Sequence, residues 1–178
     1  MPTLSDIRDV KGLKADPRFG RLLTHVITKR GPRRWAARAD IDAADIPTLL
    51  PNLWVIEIEQ HADPTERRLR VRLAGTQVER IYGRSLTGLY LEEMDWGVYS
   101  TRIFHSLYRM ADDGIGHFLD AAAMIQPRLS RRVRRLGLPL SDDQTRVSHL
   151  VLLAYYEFNA LAPEHFHELW LDDGPGAP

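Results

Sequence analysis

Leu69-Arg70-Val71-Arg72-Leu73-Ala74-Gly75-Thr76-Gln77-Val78-Glu79-Arg80-Ile81-Tyr82-Gly83 reads as a strand running directly into a short helix. Leu69, Val71 and Leu73 alternate with Arg70 and Arg72, so the strand has one apolar and one cationic face. Gly75 breaks the run. Thr76 and Glu79 have the spacing of a capping box at a helix start. Gly83 stands where the helix stops, in the left-handed conformation that glycine adopts without a Cβ clash. Residues 84–88 then form a second turn. A strand and one short helix enclose no core, so the rest of the chain must supply a sheet and a cover.

The material for both is present. The chain has 178 residues, 44% of them hydrophobic, which suits one domain with a real core. The absence of cysteine rules out disulfides, thiolate metal ligands and a cysteine nucleophile. Residues 1–10 hold no apolar run, and no stretch approaches the ~20 apolar residues of a membrane span, so neither a signal peptide nor membrane insertion is expected. The expected compartment is the cytoplasm. Acidic and basic residues balance at 24 each. The arginines cluster at 30–38, 67–72 and 128–135, but acids are interspersed, and a net basic face of the kind nucleic acid requires is not expected.

Upstream, Asp16 caps a helix that has Pro17 in its first turn, and Gly31-Pro32 ends it. Residues 53–59 form a strand with Trp54, Ile56 and Ile58 on one face. A turn at 61–64 joins it to the opening strand as a hairpin. Residues 98–111 form a helix whose inner stripe is Tyr99, Ile103, Leu107 and Met110. Three apolar stretches, 117–126, 132–140 and 146–158, read as antiparallel strands separated by turns at 127–128 and 141–144. Pro139 points to an edge position or a bulge in the middle one. Residues 164–171 suggest a final short helix, and 172–178 a frayed tail. The expected organisation is an N-terminal helical extension (1–51), a core domain (52–160), and a C-terminal helix and tail (161–178).

Two strands, a helical middle and three strands is the order of a PAS domain. The wording resembles a family of small, mostly stand-alone bacterial PAS-type proteins. The resemblance rests on Arg38-Ala39-Asp40-Ile41-Asp42, Ile46-Pro47, Arg72-Leu73-Ala74-Gly75-Thr76, Tyr82-Gly83-Arg84-Ser85-Leu86-Thr87-Gly88 and Leu138-Pro139-Leu140-Ser141-Asp142-Asp143. Arg38, Asp40, Arg72, Gly75, Thr76, Gly83 and Gly88 are its motif residues. Ala36, Ala43 and Ser85 depart from the family wording. The resemblance implies an α+β fold: a five-stranded antiparallel sheet of order 2-1-5-4-3 with helices on one face. It also implies a signalling or regulatory role, and it brings no catalytic residues.

His105 lies about 160 degrees from the centre of the inner stripe on a 3.6-residue wheel, so it is expected to face solvent rather than a haem. His165 and His167 are two apart and diverge on a helix, so no metal site is expected. Arg131 and Arg135 have a spacing similar to that of cyclic-dinucleotide modules. A second Gly-containing motif is missing, and the arginines are read as a solvated strand face. No cofactor is expected.

The expected function is that of a non-enzymatic sensory module signalling through protein contacts. A small apolar ligand would be lined by Trp96, Tyr99, Ile103, Leu107, Met110, Ala121 and Met124. The alternative is a ligand-free protein-interaction module, recognisable by a solid core and an exposed apolar patch. The stripe Phe19, Leu22, Leu23, Val26 and Ile27 is expected to pair with a second copy as a homodimer, the other reading being that it packs on its own sheet.

Overall fold

The computed structural model describes residues 16–60, 66–124, 130–157 and 167–171, with the backbone alone at 122–124, 130–131 and 167. The turns expected at 61–64 and 127–128, His165, and the tail at 172–178 lie outside the described residues.

Helix α1 (Pro17–Arg30) starts as its sequence dictates. Asp16 accepts a hydrogen bond from the Arg18 backbone N–H at 3.1 Å, Pro17 occupies the first turn, and Gly31 ends the helix at φ 57°. Two strands follow, β1 (Leu53–Glu59) and β2 (Arg68–Ala74), then helix α2 (Thr76–Tyr82) and helix α3 (Ser100–Asp113). Three long strands close the sheet: β3 (Gly116–Met124), β4 (Ser130–Leu140) and β5 (His149–Glu157).

The sheet has the expected order with one addition, β2-β1-β5-β4-β3-β6, and every pairing is antiparallel. The addition is β6 (His167–Leu171), which pairs along β3 from Gly116 to Asp120. This corrects the helix expected at 164–171. A five-residue segment gains a full ladder by covering the open edge of β3, whereas an isolated turn of helix is marginal.

Both faces of the sheet are covered. On one, Phe19, Leu22, Leu23 and Val26 of α1 pack on Val55, Leu136, Leu138, Val151 and Leu153. Phe19 meets Phe118 and Tyr155 edge-on, at 5.4 and 5.6 Å between ring centroids. Each such fully buried side chain contributes about 1.5–3 kcal/mol. The α1 stripe is thereby covered by its own sheet, with Ile27 half-buried at its margin. The apolar face proposed for pairing with a second copy is already occupied. On the other face, α3 and the segment around α2 cover Trp54, Ile56, Val71, Leu150 and Leu152.

The opening stretch departs from simple alternation at one point. The β1–β2 register shifts between Val55 and Ile56, which pair with Leu73 and Val71. Leu69 and Val71 therefore face α3, while Leu73 packs against the α1 side. Pro139 sits in an interior strand, not an edge. It pairs with Leu150 of β5, and the β3 register ends at Gly137, so β4 has already left β3 where the proline lies.

Candidate functional site

Helix α3 lies over β4 and β5. Its expected inner stripe is largely inner: Leu107 and Met110 are buried and Ile103 packs half-buried against the same cluster. Tyr99 precedes the helix in a 3-10 turn and is half-buried. Trp96, also half-buried, donates its indole N–H to the Leu91 carbonyl at 2.7 Å. Ala121 is buried on β3, and the Met124 side chain lies outside the described residues. His105 is exposed, as its position on the wheel requires.

The motif residues build the frame around this face rather than its lining. Gly75 caps α2, and a Cβ there would stand 2.0 Å from the Leu50 carbonyl oxygen, so the two backbones touch only because the side chain is absent. Thr76 is the first residue of α2 and makes no cap. Glu79 reaches forward instead of back: its carboxylate accepts from the Leu86 N–H at 2.9 Å and the Ser85 hydroxyl at 2.8 Å. The capping box is thus replaced by a carboxylate closing the following turn. Gly83 ends α2 at φ 68°, and Gly88 donates its N–H to the Val71 carbonyl at 2.8 Å. Arg38 donates its backbone N–H to Asp142 at 2.8 Å, and Asp40 accepts from Ala37 at 2.7 Å, tying the segment after α1 to the β4–β5 turn. Arg72 pairs with Glu57 at 2.6 Å across the hairpin.

A polar cluster that the sequence reading did not single out lies beneath α3. Arg135, taken for part of a solvated strand face, is only 9% exposed. Its Nη2 donates to the Ser106 hydroxyl at 2.8 Å and approaches His117 Nδ1 at 3.3 Å. His117 Nε2 lies 2.7 Å from Glu168 of β6, and its ring tilts on Trp170 at 4.3 Å. An arginine only donates and a carboxylate only accepts, which fixes the tautomer: Nε2 carries the proton and Nδ1 accepts. Burial is the first cause that holds His117 neutral, bringing its pKa down to about 4; Glu168 opposes and Arg135 reinforces. Burial also lowers the Arg135 pKa.

Aromatic rings wall this cluster. Tyr82 meets Trp54 at 5.6 Å, Trp96 at 5.9 Å and Tyr156 at 6.4 Å, all near edge-to-face. Burial raises the Tyr82 hydroxyl well above the ordinary phenol range. Tyr82 and Tyr156 both lie within electrostatic reach of Arg135. The signal for the cluster was present as strand parity: Val133, Arg135 and Gly137 share one face of β4. It was hidden by the run of arginines around it, which reads as solvated until α3 is seen to cover that face.

Ser106 donates to the Ile103 carbonyl at 2.8 Å and receives a bond from Arg135, so it is aimed at no base that would activate it. Among the described residues, no group of three or more His, Asp or Glu stands close enough to hold a metal ion. No helix among them is long and apolar enough to cross a membrane. The face beneath α3 thus holds a buried arginine, a neutral histidine bonded to the Glu168 carboxylate, a serine hydroxyl and neighbouring aromatic rings.

A protein-family model described as PAS domain matches residues 21–153, which takes in α1 from residue 21 onward, all of β1–β4 and about half of β5. No curated protein matches the chain.

Proposed function

The chain belongs to the PAS domain family, a family of sensory and signalling modules, and from that premise we propose that it senses a small molecule held between α3 and the sheet. It works as a non-enzymatic cytoplasmic module whose output leaves through protein contacts. The observation that carries this reading is the buried set Arg135, His117 and Ser106 beneath α3. Hydrophobic burial alone does not require polar groups there, and burying them costs free energy unless they serve an interaction. The ligand-free alternative calls for an exposed apolar patch. Among the described residues, Val98, 83% exposed, is the one large hydrophobic side chain that is fully outside, which favours sensing over apolar docking.

The test is native mass spectrometry of freshly purified protein, with tryptophan fluorescence read in parallel. Trp54 and Trp96 flank the site, so occupancy is expected to give a discrete small-molecule adduct and an emission change when it is stripped. A bare mass, together with fluorescence that no fraction of a small-molecule cell extract alters, would overturn the reading.

A further inference from the structure

Arg135 differs from its neighbours on β4 in what it touches. Arg132 pairs with Asp120 at 2.7 Å, and Arg134 pairs with Asp16 at 3.1 Å and with Glu157. Arg135 is the more deeply buried and contacts no carboxylate: its partners are the Ser106 hydroxyl and the neutral His117 ring. Glu168, on this face, lies within electrostatic reach of Arg135, but its carboxylate is hydrogen-bonded to His117. The Arg135 Nε is buried with no hydrogen-bond partner. Tyr82, Tyr156 and Glu168 favour its charge only from a distance; a guanidinium cannot shed its proton, and a buried charged donor left without an acceptor is unfavourable. The missing component is an anion.

Resting on the reading of this face as the sensing site, we propose that its ligand is a monocarboxylate with an apolar or aromatic body, seated on the Nε–Nη2 edge of Arg135. One guanidinium balances one negative charge, and its planar fork matches a carboxylate with two parallel hydrogen bonds. A phosphate dianion would need a second cation; His117 is held neutral, and Arg109, over the Trp170 ring at 4.1 Å, is already paired with Asp113. Trp54, Trp96, Tyr82 and Tyr156 supply the apolar wall for the rest of the molecule. Nη2 now bonds Ser106, so a carboxylate on that edge takes the place of the Ser106 hydroxyl and releases α3 from the sheet at that point. Occupancy is thereby linked to the position of the helix.

The experiment is thermal unfolding of the full chain at constant ionic strength with benzoate, benzamide or methyl phosphate, each against equal chloride. Benzoate is expected to raise Tm saturably, and the other two to leave it near the chloride value. Arg135→Met is expected to melt no lower than the parent and to lose the benzoate response. Arg135→Lys keeps the charge without the fork, and its half-saturating benzoate concentration is expected to rise by at least ~tenfold, the worth of one charge-assisted hydrogen bond. Equal stabilisation by benzamide and benzoate would overturn the carboxylate assignment while leaving small-molecule sensing standing. A larger effect of methyl phosphate would overturn it in favour of a phosphate ligand. Absence of any benzoate effect, or Arg135→Met melting well below the parent, would show Arg135 to be a structural tie between β4 and α3. An adduct in native mass spectra alongside such results would preserve the sensing role and sink only the ligand class.

Discussion

Arg135 of β4 and Ser106 of α3 are joined by a 2.8 Å hydrogen bond that spans from the middle of the sheet to the helix covering it. Ser106 passes the connection on, donating to the Ile103 carbonyl one turn earlier. Removing the hydroxyl leaves the buried Nη2 with the more distant His117 contact alone. Ser106→Ala is expected to cost about 1–3 kcal/mol, the penalty of an unsatisfied buried donor. The same substitution made in an Arg135→Met background is expected to cost far less. A double-mutant cycle by urea denaturation measures the difference, and equal costs in the two backgrounds would mean that the bond carries no coupling.

Gly75 and its neighbours supply a second contrast. A Cβ at Gly75 meets the backbone of Leu50 and Pro51, at 2.0 Å from one oxygen and 2.4 Å from the other, and neither can rotate away. Gly75→Ala is expected to destabilise by about 3 kcal/mol or to displace the 3-10 turn at Leu50–Asn52. Thr76→Ala, one residue on, is expected to stay within about 0.5 kcal/mol, because the threonine is exposed and caps nothing. Chemical denaturation of both variants checks the pair, and a Thr76→Ala loss as large as a lost cap would restore the capping box.

His117 gives the fold a pH dependence whose sign follows from its burial. Its folded pKa, about 4, lies below the ordinary value of 6.5. As pH falls through 6.5 the unfolded chain takes up the proton first, so stability is present above that point and declines between 6.5 and 4. The full span is worth about 3 kcal/mol at most. Below the folded pKa no further loss arises from this residue. His117→Gln is expected to flatten the stability profile between pH 6.5 and 4, and imidazole NMR titration is expected to show one histidine still neutral at pH 5.

Asp16 acts in the same direction at lower pH. It is buried, accepts the Arg18 N–H at the helix start, and pairs with Arg18 and Arg134. The hydrogen bond from the Arg18 side chain is the main cause that lowers its pKa below the ordinary 3.8. Its contribution is therefore complete above 3.8 and is lost as pH falls through the lower folded value. Asp16→Ala is expected to cost about 2 kcal/mol at neutral pH, a lost cap plus a lost partner for a largely buried arginine. The deficit is expected to shrink at pH 2, and one that held constant with pH would separate the effect from the carboxylate charge.

Local patterns in the sequence determined the elements with local causes. Asp16-Pro17 started α1 and Gly31 ended it, because a cap and a fixed φ act within one turn of chain. Alternation determined β1 and β2, and the spacing of Ile103, Leu107 and Met110 determined the buried side of α3, because side-chain direction follows backbone period. The strand order 2-1-5-4-3 was expected from the resemblance to PAS domains, not from any local pattern. Tertiary structure decided what depends on neighbours remote in sequence. The stripe of α1 was legible, but whether it met a sheet or another copy was not, since an apolar face specifies burial and not its partner. Residues 167–171 became a strand because β3 offered an open edge 50 residues upstream. Leu73 changed sides through a register shift that alternation cannot report. Arg135 became a buried cation because α3 lies over its face of β4, and charge in a strand reads as solvated until the cover above it is known.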